Sequence, residues 1–365
     1  MKSFRKTFYL AAAGAALGMV AAAPVLAADS LTVVSWGGAY TRSQVKAYHE
    51  PFTKKTGIKI NSEDYNGGIA QIKAQVNSGN IKWDVIDLEP GDAARACDEG
   101  LLVEIDPSTL PPAPDGTPAS KDFLDGALLP CAVSSIVWST VYAYDDTKFK
   151  GDKPSTIGDF FDTKKFPGKR GLRKSPLVNL EWALMADGVP ANEVYEVLGT
   201  DAGVERAFKK LDTIKDDVVW WEAGAQPPQM LADGEVAMTS AYNGRLFNAI
   251  VKEKKPFHIV WDGQVWSVDV YSIVKGTPNL DAAMEFLKFS TDTQRLADQA
   301  RWISYGPARK SSIPLVTTHA ETGDPMMPHM PTTPEHMKTA LATNTDFWTD
   351  HQDELNERFT TWLAR

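Results

Sequence analysis

The chain has 365 residues, with 38 Lys+Arg against 47 Asp+Glu and a net charge of −9. That acidic balance disfavours nucleic acid and anionic lipid as partners, because the protein's own field repels both. The length suits two lobes of ordinary domain size.

In chain order the first element is a leader. Lys2, Arg5 and Lys6 precede an apolar, Ala/Gly-rich run from Phe8 through Ala23, and Pro24, Val25, Leu26 and Ala27 follow with the small residues of a cleavage site. Residues 1–27 read as a cleaved signal peptide rather than a membrane anchor. With no Arg-Arg pair and no Cys at that site, the general secretory route and a mature chain without a lipid anchor are expected. Cleavage takes three positive charges and no acids, so −9 becomes about −12. Nothing after residue 30 is long and apolar enough to span a membrane.

Leu31 to Ser35 is an apolar strand ending at Trp36, Gly37 and Gly38, and helical periodicity follows from Thr41 to Lys54. A second strand starts at Ile58 and ends near Tyr65, Asn66 and Gly67; Ile69, Ile72 and Val76 then mark a helix. Asp84 to Leu88 is a third strand, followed by Pro90 and a helix through Cys97. This alternation predicts a parallel, open α/β sheet, whose ligands sit beyond the carboxyl ends of the strands. The residues at those ends are Trp36 to Gly38, Tyr65 to Gly67, and Glu89 to Gly91.

Residues 105–120 are a Pro-rich surface loop. Ala132 to Tyr144 is a β-prone run too long for one ordinary strand. Phe160 to Phe166 reads as a loop or short helix. Helices are predicted over Leu180–Ala186 and Glu193–Lys210, from Pro227, over Asp281–Phe289 and over residues 345–365. Strands are predicted at Val218–Trp221, at Val236–Thr239 and in a second long run, Trp266–Val274. Two long β runs far apart in sequence predict two lobes joined by two crossover segments. Lobe 1 is expected over 29–138 plus 269–310, and lobe 2 over 139–268 plus 311–365. In an exported chain the pair Cys97 and Cys131 favours a disulfide over a metal site, the alternative being two buried thiols.

The chain resembles a known family on these motifs: Trp36-Gly-Gly38 after the first strand, Phe52-Thr-Lys-Lys-Thr-Gly-Ile58, and Trp83-Asp-Val-Ile86 leading to Glu99-Gly-Leu-Leu102. Gly234-Glu-Val-Ala-Met238, Tyr242-Asn-Gly244, Trp266-Ser-Val-Asp269 and Ile273-Val-Lys-Gly-Thr-Pro278 continue it. In order and spacing these are similar to periplasmic solute-binding proteins of ABC importers, in the spermidine/putrescine-binding branch. The resemblance implies a type II two-lobed fold that closes on its ligand, a periplasmic location, an inner-membrane ABC permease as partner, a monomer, and no catalysis or cofactor. It also implies site residues. Trp36, with Gly37 beside it, and Tyr40 match aromatic walls, and Glu89 matches a polar contact. Tyr242 matches a stacking aromatic, Asp269 the carboxylate that grips an ammonium, and Tyr305 a further wall.

One departure stands out. Where polyamine binders carry two acids in the second lobe, this chain has Arg173-Lys-Ser-Pro-Leu-Val178. Arg173 and Arg245 then suit a carboxylate, because arginine offers a bidentate fork. A polyamine is the first reading, and a zwitterion such as 4-aminobutyrate is the alternative. Fe(III) is less favoured, since adjacent tyrosines are absent. The residue chemistry agrees with an amine ligand: Asp269 supplies compensating charge, and Trp36, Tyr242 and Tyr305 supply ring faces. The plainer readings make Asp269 a loop cap, the aromatics core and Arg245 a surface ion pair. Trp220-Trp221 reads as a packed strand end, while Trp138 and Trp266 line the cleft or brace the hinge. The stretch holding His319, Met326, Met327, His329, Met330, His336 and Met337 reads as a packed loop, and no metal site is expected. The chain lacks a nucleophile elbow, a phosphate loop and a His-Glu-x-x-His motif, so no enzyme is expected.

Overall fold

The computed structural model describes residues 29–365. The expected leader lies outside the described residues.

Strands β1 (Ser30–Ser35), β2 (Lys59–Asp64) and β3 (Val85–Leu88) form a parallel wing with β1 at its centre. Val33 and Val34, adjacent in β1, point to opposite faces, yet both are fully buried. Helices cover both faces, as a parallel sheet requires. The short β4 (Leu128–Leu129) folds back onto β5 (Ala132–Asp145). A second parallel wing holds β6 (Arg170–Arg173), β7 (Val218–Trp221) and β8 (Met238–Tyr242). The remaining strands are β9 (Phe257–Ile273), β10 (Gly306–Pro307) and β11 (Leu341–Ala342).

The strand order is β2-β1-β3-β9-β5-β8-β6-β7, so β9 and β5 join the two wings. They pair antiparallel along most of their length, with register shifts between Ser134 and Ile136 and between Thr140 and Tyr142. The expected all-parallel sheet is therefore corrected to a mixed one. Each wing is parallel, but β3–β9 and β5–β8 are antiparallel, because both long strands must return the chain between lobes. The result is a two-lobed α/β fold. Val33, Phe52, Tyr271 and Phe286 anchor the first core, and Tyr142, Phe160, Trp182 and Phe359 the second.

Four element boundaries differ from expectation. The helix expected from Thr41 starts at Gly38 and carries a π-turn over Val45–His49. The helix expected over Glu193–Lys210 is two helices, Val194–Leu198 and Asp201–Asp212. Thr200 restarts it by accepting a hydrogen bond from the Gly203 N–H. The second long β run begins at Phe257, and the strand expected from Val236 begins at Met238.

Two connections tie the lobes beyond the ribbon. Phe247 and Val251 pack with Ala297, Ala300, Val316, Met326 and Met330. The C-terminal helix Thr345–Leu363 buries Phe347, Trp348, Leu355, Phe359 and Trp362 in the second core. Its Asp353 reaches Arg95, 2.8 Å away on the first-lobe helix Pro90–Asp98. Cys97, on that same helix, is disulfide-bonded to Cys131 at the start of β5.

Candidate functional site

The carboxyl ends of β1 and β3, the end of β8 and the middle of the ribbon converge on one small cavity. Trp36, Tyr40, Glu89, Trp138, Tyr242, Arg245, Asp269 and Tyr305 line about 290 Å³ of empty space, mouth included. That is at the small end of ligand pockets. Seven of the residues singled out in the sequence meet there. The eighth, Gly37, places its carbonyl, rather than any side chain, at the boundary between lobes.

Gly37 adopts φ +72° and Gly38 φ +60°, a left-handed turn open to glycine at little cost. The turn aims the carbonyls of Trp36 and Gly37 across the cleft. Arg245 donates Nη2–H to the Trp36 carbonyl at 3.0 Å and Nη1–H to the Gly37 carbonyl at 2.5 Å. A Cβ on Gly38 would stand 2.5 Å from Arg245 Nη1, so the close approach requires glycine there. Arg245 sits one turn into the helix Asn243–Phe247. Its Nε–H is buried without a partner. A second contact across the cleft joins Arg173 Nη1 to Glu89 Oε1 at 2.9 Å. The lobes are closed on one another.

The opposite side is aromatic and acidic. Asp269 is buried, and its Oδ1 accepts the Trp138 Nε1–H at 2.7 Å. Burial, with Asp87 and Glu89 nearby, pushes the Asp269 carboxyl well above the usual range. Tyr40 and Tyr305 meet edge to face, ring centres 5.4 Å apart, and Trp138 meets Tyr242 in the same manner at 5.1 Å. Burial raises the Tyr242 hydroxyl to about 12 and Tyr305 higher still, so both stay neutral donors.

Several residues outside the expected set support these walls. Trp138, expected to line the cleft or brace the hinge, lines the cavity and is bonded to Asp269 on the neighbouring strand. Trp221 packs edge-on against Tyr242, while Trp220 packs against Phe359 and Trp362, away from the cavity. Trp266 is not among the cavity's lining residues. Asp87 was not singled out in the sequence. It accepts from Tyr40 OH at 2.7 Å, Gln44 Nε2 at 2.6 Å and Trp36 Nε1 at 3.4 Å. Burial lifts its carboxyl to about 7. The sequence showed only an acid within the apolar run Val85 to Leu88, which does not separate a buried acid from an exposed one.

The Met/His stretch packs on aromatic rings. His319 and His329 lie against Phe247, and His336 stacks on Trp261 at 3.9 Å. Among the described residues no group of three or more His, Cys, Asp or Glu is placed to hold a metal ion.

Comparisons with known proteins agree with this architecture. A family model described as bacterial extracellular solute-binding protein matches residues 47–328. A gamma-aminobutyric acid-binding protein of Pseudomonas aeruginosa is 42% identical over 345 residues, 94% of each chain. Among solved structures, the binding protein MotA of A. tumefaciens in complex with glucopine superposes with a TM-score of 0.83 at 30% identity, covering 92% of this chain and 99% of its own. A GABA receptor superposes at 0.77 with 32% identity, covering 92% and 98%. These are binding proteins rather than enzymes, and on the family match together with the 42% identity the chain belongs to the bacterial extracellular solute-binding protein family.

Proposed function

We propose that this protein captures a short zwitterion with a separated ammonium and carboxylate, of the 4-aminobutyrate class, in the cleft between its lobes. The protein then works in the periplasm and hands the ligand to an ABC permease. One observation carries the ligand reading. The cavity offers one unpaired carboxylate, Asp269, and a separate guanidinium, Arg245, that is bonded to main-chain carbonyls and not to an acid. A diamine needs two acids. The second candidate, Glu89, is already neutralised by the half-buried Arg173.

Two further second-lobe acids do not replace it. Glu181 is buried under Trp348 and Tyr195, and Glu222 pairs with Lys174. The gamma-aminobutyric acid-binding relative favours the same ligand class, while the motif resemblance to polyamine binders supports the runner-up, a diamine such as putrescine. In this reading the lobes divide near residues 138 and 268, within β5 and β9, and residues 311–365 go with lobe 2.

Titration calorimetry with 4-aminobutyrate, putrescine and spermidine tests it. Binding of 4-aminobutyrate at least tenfold tighter than either amine is expected. Tighter binding of putrescine would transfer the assignment to polyamines.

A further inference from the structure

Asp87 stands one layer behind the cavity wall. In β3 it lies opposite Tyr271 of β9, with Leu88 opposite Val270. The two-residue period of a strand puts Asp87 and Glu89 on one face, and continuing the register puts Asp269 on that face beside them. Two of the three donors that hold the Asp87 carboxylate, Trp36 and Tyr40, are walls of the amine pocket. The third, Gln44, is buried behind them.

Charged and titratable groups face this pair from every side, including Tyr242 and Tyr305 beside Asp269, which burial keeps protonated. Arg245 is held by main-chain carbonyls, Arg173 by Glu89, and Asp92 by Arg95. Tyr40, Tyr48, Tyr65 and Tyr271 surround Asp87, and burial keeps all four phenols protonated. Asp87 and Asp269 are thus two buried carboxyls on one sheet face, each satisfied by neutral donors. Two such groups resist ionising together, because the cations nearest them, Arg245 and Arg173, are turned to main-chain carbonyls and to Glu89.

We propose that Asp87 and Asp269 hold one proton between them in the ligand-free protein, and that an arriving ammonium group expels it to solvent. Asp87 is then a positioning residue: it aims Trp36 and Tyr40, and it sets the charge that Asp269 presents, without touching the ligand. The inference rests on the amine-binding reading of the cavity. Burial and mutual repulsion push both carboxyls upward. An ammonium docked on Asp269 reverses that balance, so both acids ionise and one proton leaves. Affinity should therefore rise with pH, about tenfold between pH 6 and pH 8 for one proton released near neutrality.

Calorimetry with 4-aminobutyrate, at both pH values and in two buffers of different ionisation enthalpy, reads the proton directly. Wild type should release a substantial fraction of a proton at pH 7. Asp87→Asn keeps an acceptor for Tyr40 but removes the second charge, so its affinity should lose the pH slope. A purely structural role would lower affinity equally at every pH and leave the slope intact, which overturns the proposal. So does a wild type that releases no proton, whether or not the variant folds. If 4-aminobutyrate gives no heat, the ligand assignment fails, and a carboxyl ¹³C NMR titration of the Asp-labelled, ligand-free protein still decides the matter. One shared titration near pH 7 supports the pair, and two ordinary aspartates refute it.

Discussion

Asp269 and Arg245 divide the cavity's charge between two residues, so their variants should separate by ligand. Asp269→Ala removes the compensating charge for the ammonium and should weaken 4-aminobutyrate at least tenfold with little change in far-UV circular dichroism. Unchanged affinity in a calorimetric titration would remove Asp269 from the site. Arg245→Ala should abolish binding of amino acids while sparing simple diamines, because only the former bring a carboxylate. Equal losses for both would show that the side chain acts only by bridging to Trp36 and Gly37. Residues of this kind are legible in a sequence. Trp36 and Tyr242 sit at strand ends where ligands gather, Asp269 matches the acid of the second crossover in the resembled family, and their chemistry suits an amine. Asp87 is not legible, because an acid at alternate positions of a strand usually faces water. Its burial arises only when β9 pairs with β3 and the helix Gly38–Gln44 closes over it.

The elements that present those residues are held by close contacts that tolerate little change. Gly244 opens the Arg245 turn directly beneath Tyr305, where a Cβ would come within 2.6 Å of the Tyr305 ring and of Ile303. Gly244→Ala should displace Tyr305 from the cavity and lower affinity well beyond its effect on melting temperature; a stability loss without an affinity loss would contradict this. The helix Pro90–Asp98 starts immediately after Glu89 and is stapled to β5 through Cys97 and Cys131, 34 residues apart. Reducing that bond should cost about 3–4 kcal/mol in the chain-entropy view, checked by denaturant unfolding with and without reductant. The long strands were legible as runs of β-prone residues. The start of β9 was not, because His258, Asp262 and Gly263 interrupt the apolar pattern, and the pairing with β5 over Phe257–Val260 resumes only at Val265. The break at Thr200 was also hidden. Apolar periodicity runs through it, and only the cap and the approach of Gly203 to the Val197 carbonyl divide the helix.

At the scale of the whole molecule, buried acids give the fold its pH dependence. Glu181 is fully buried between Tyr195 and Trp348, and burial lifts its carboxyl to about 7, as it does for Asp87. A carboxyl raised in the folded state favours folding while it stays protonated. That contribution is present in full below the unfolded value, about 4, and is lost as pH rises through about 7. The ligand-free protein should therefore lose stability between about pH 4 and pH 7 and level off above it, on the order of a few kcal/mol, and Glu181→Gln should flatten the slope. Thermal unfolding followed across that range checks it, and a flat wild-type profile would show these acids to be ionised already. The two-lobed plan was legible from two long β runs far apart in the chain. The first parallel wing was legible too, but β6 (Arg170–Arg173) was not read as a strand, and the junction of the wings was not legible either, since strand order depends on which edges the returning strands meet.

The register shifts in β5 lie on either side of Trp138, and Trp138 is bonded to Asp269 on the partner strand. A paired ribbon yields where its ladder is irregular and stays stiff between those points. Flexing of the two lobes then falls at the flanks, while the Trp138–Asp269 unit travels as one rigid insert. Under the proposed function, an ammonium would meet a finished half-site while the lobes are parted, and the guanidinium of Arg245 would arrive afterwards with the second lobe. Such a sequence of events makes capture depend on the cationic end of the ligand and release depend on the anionic one.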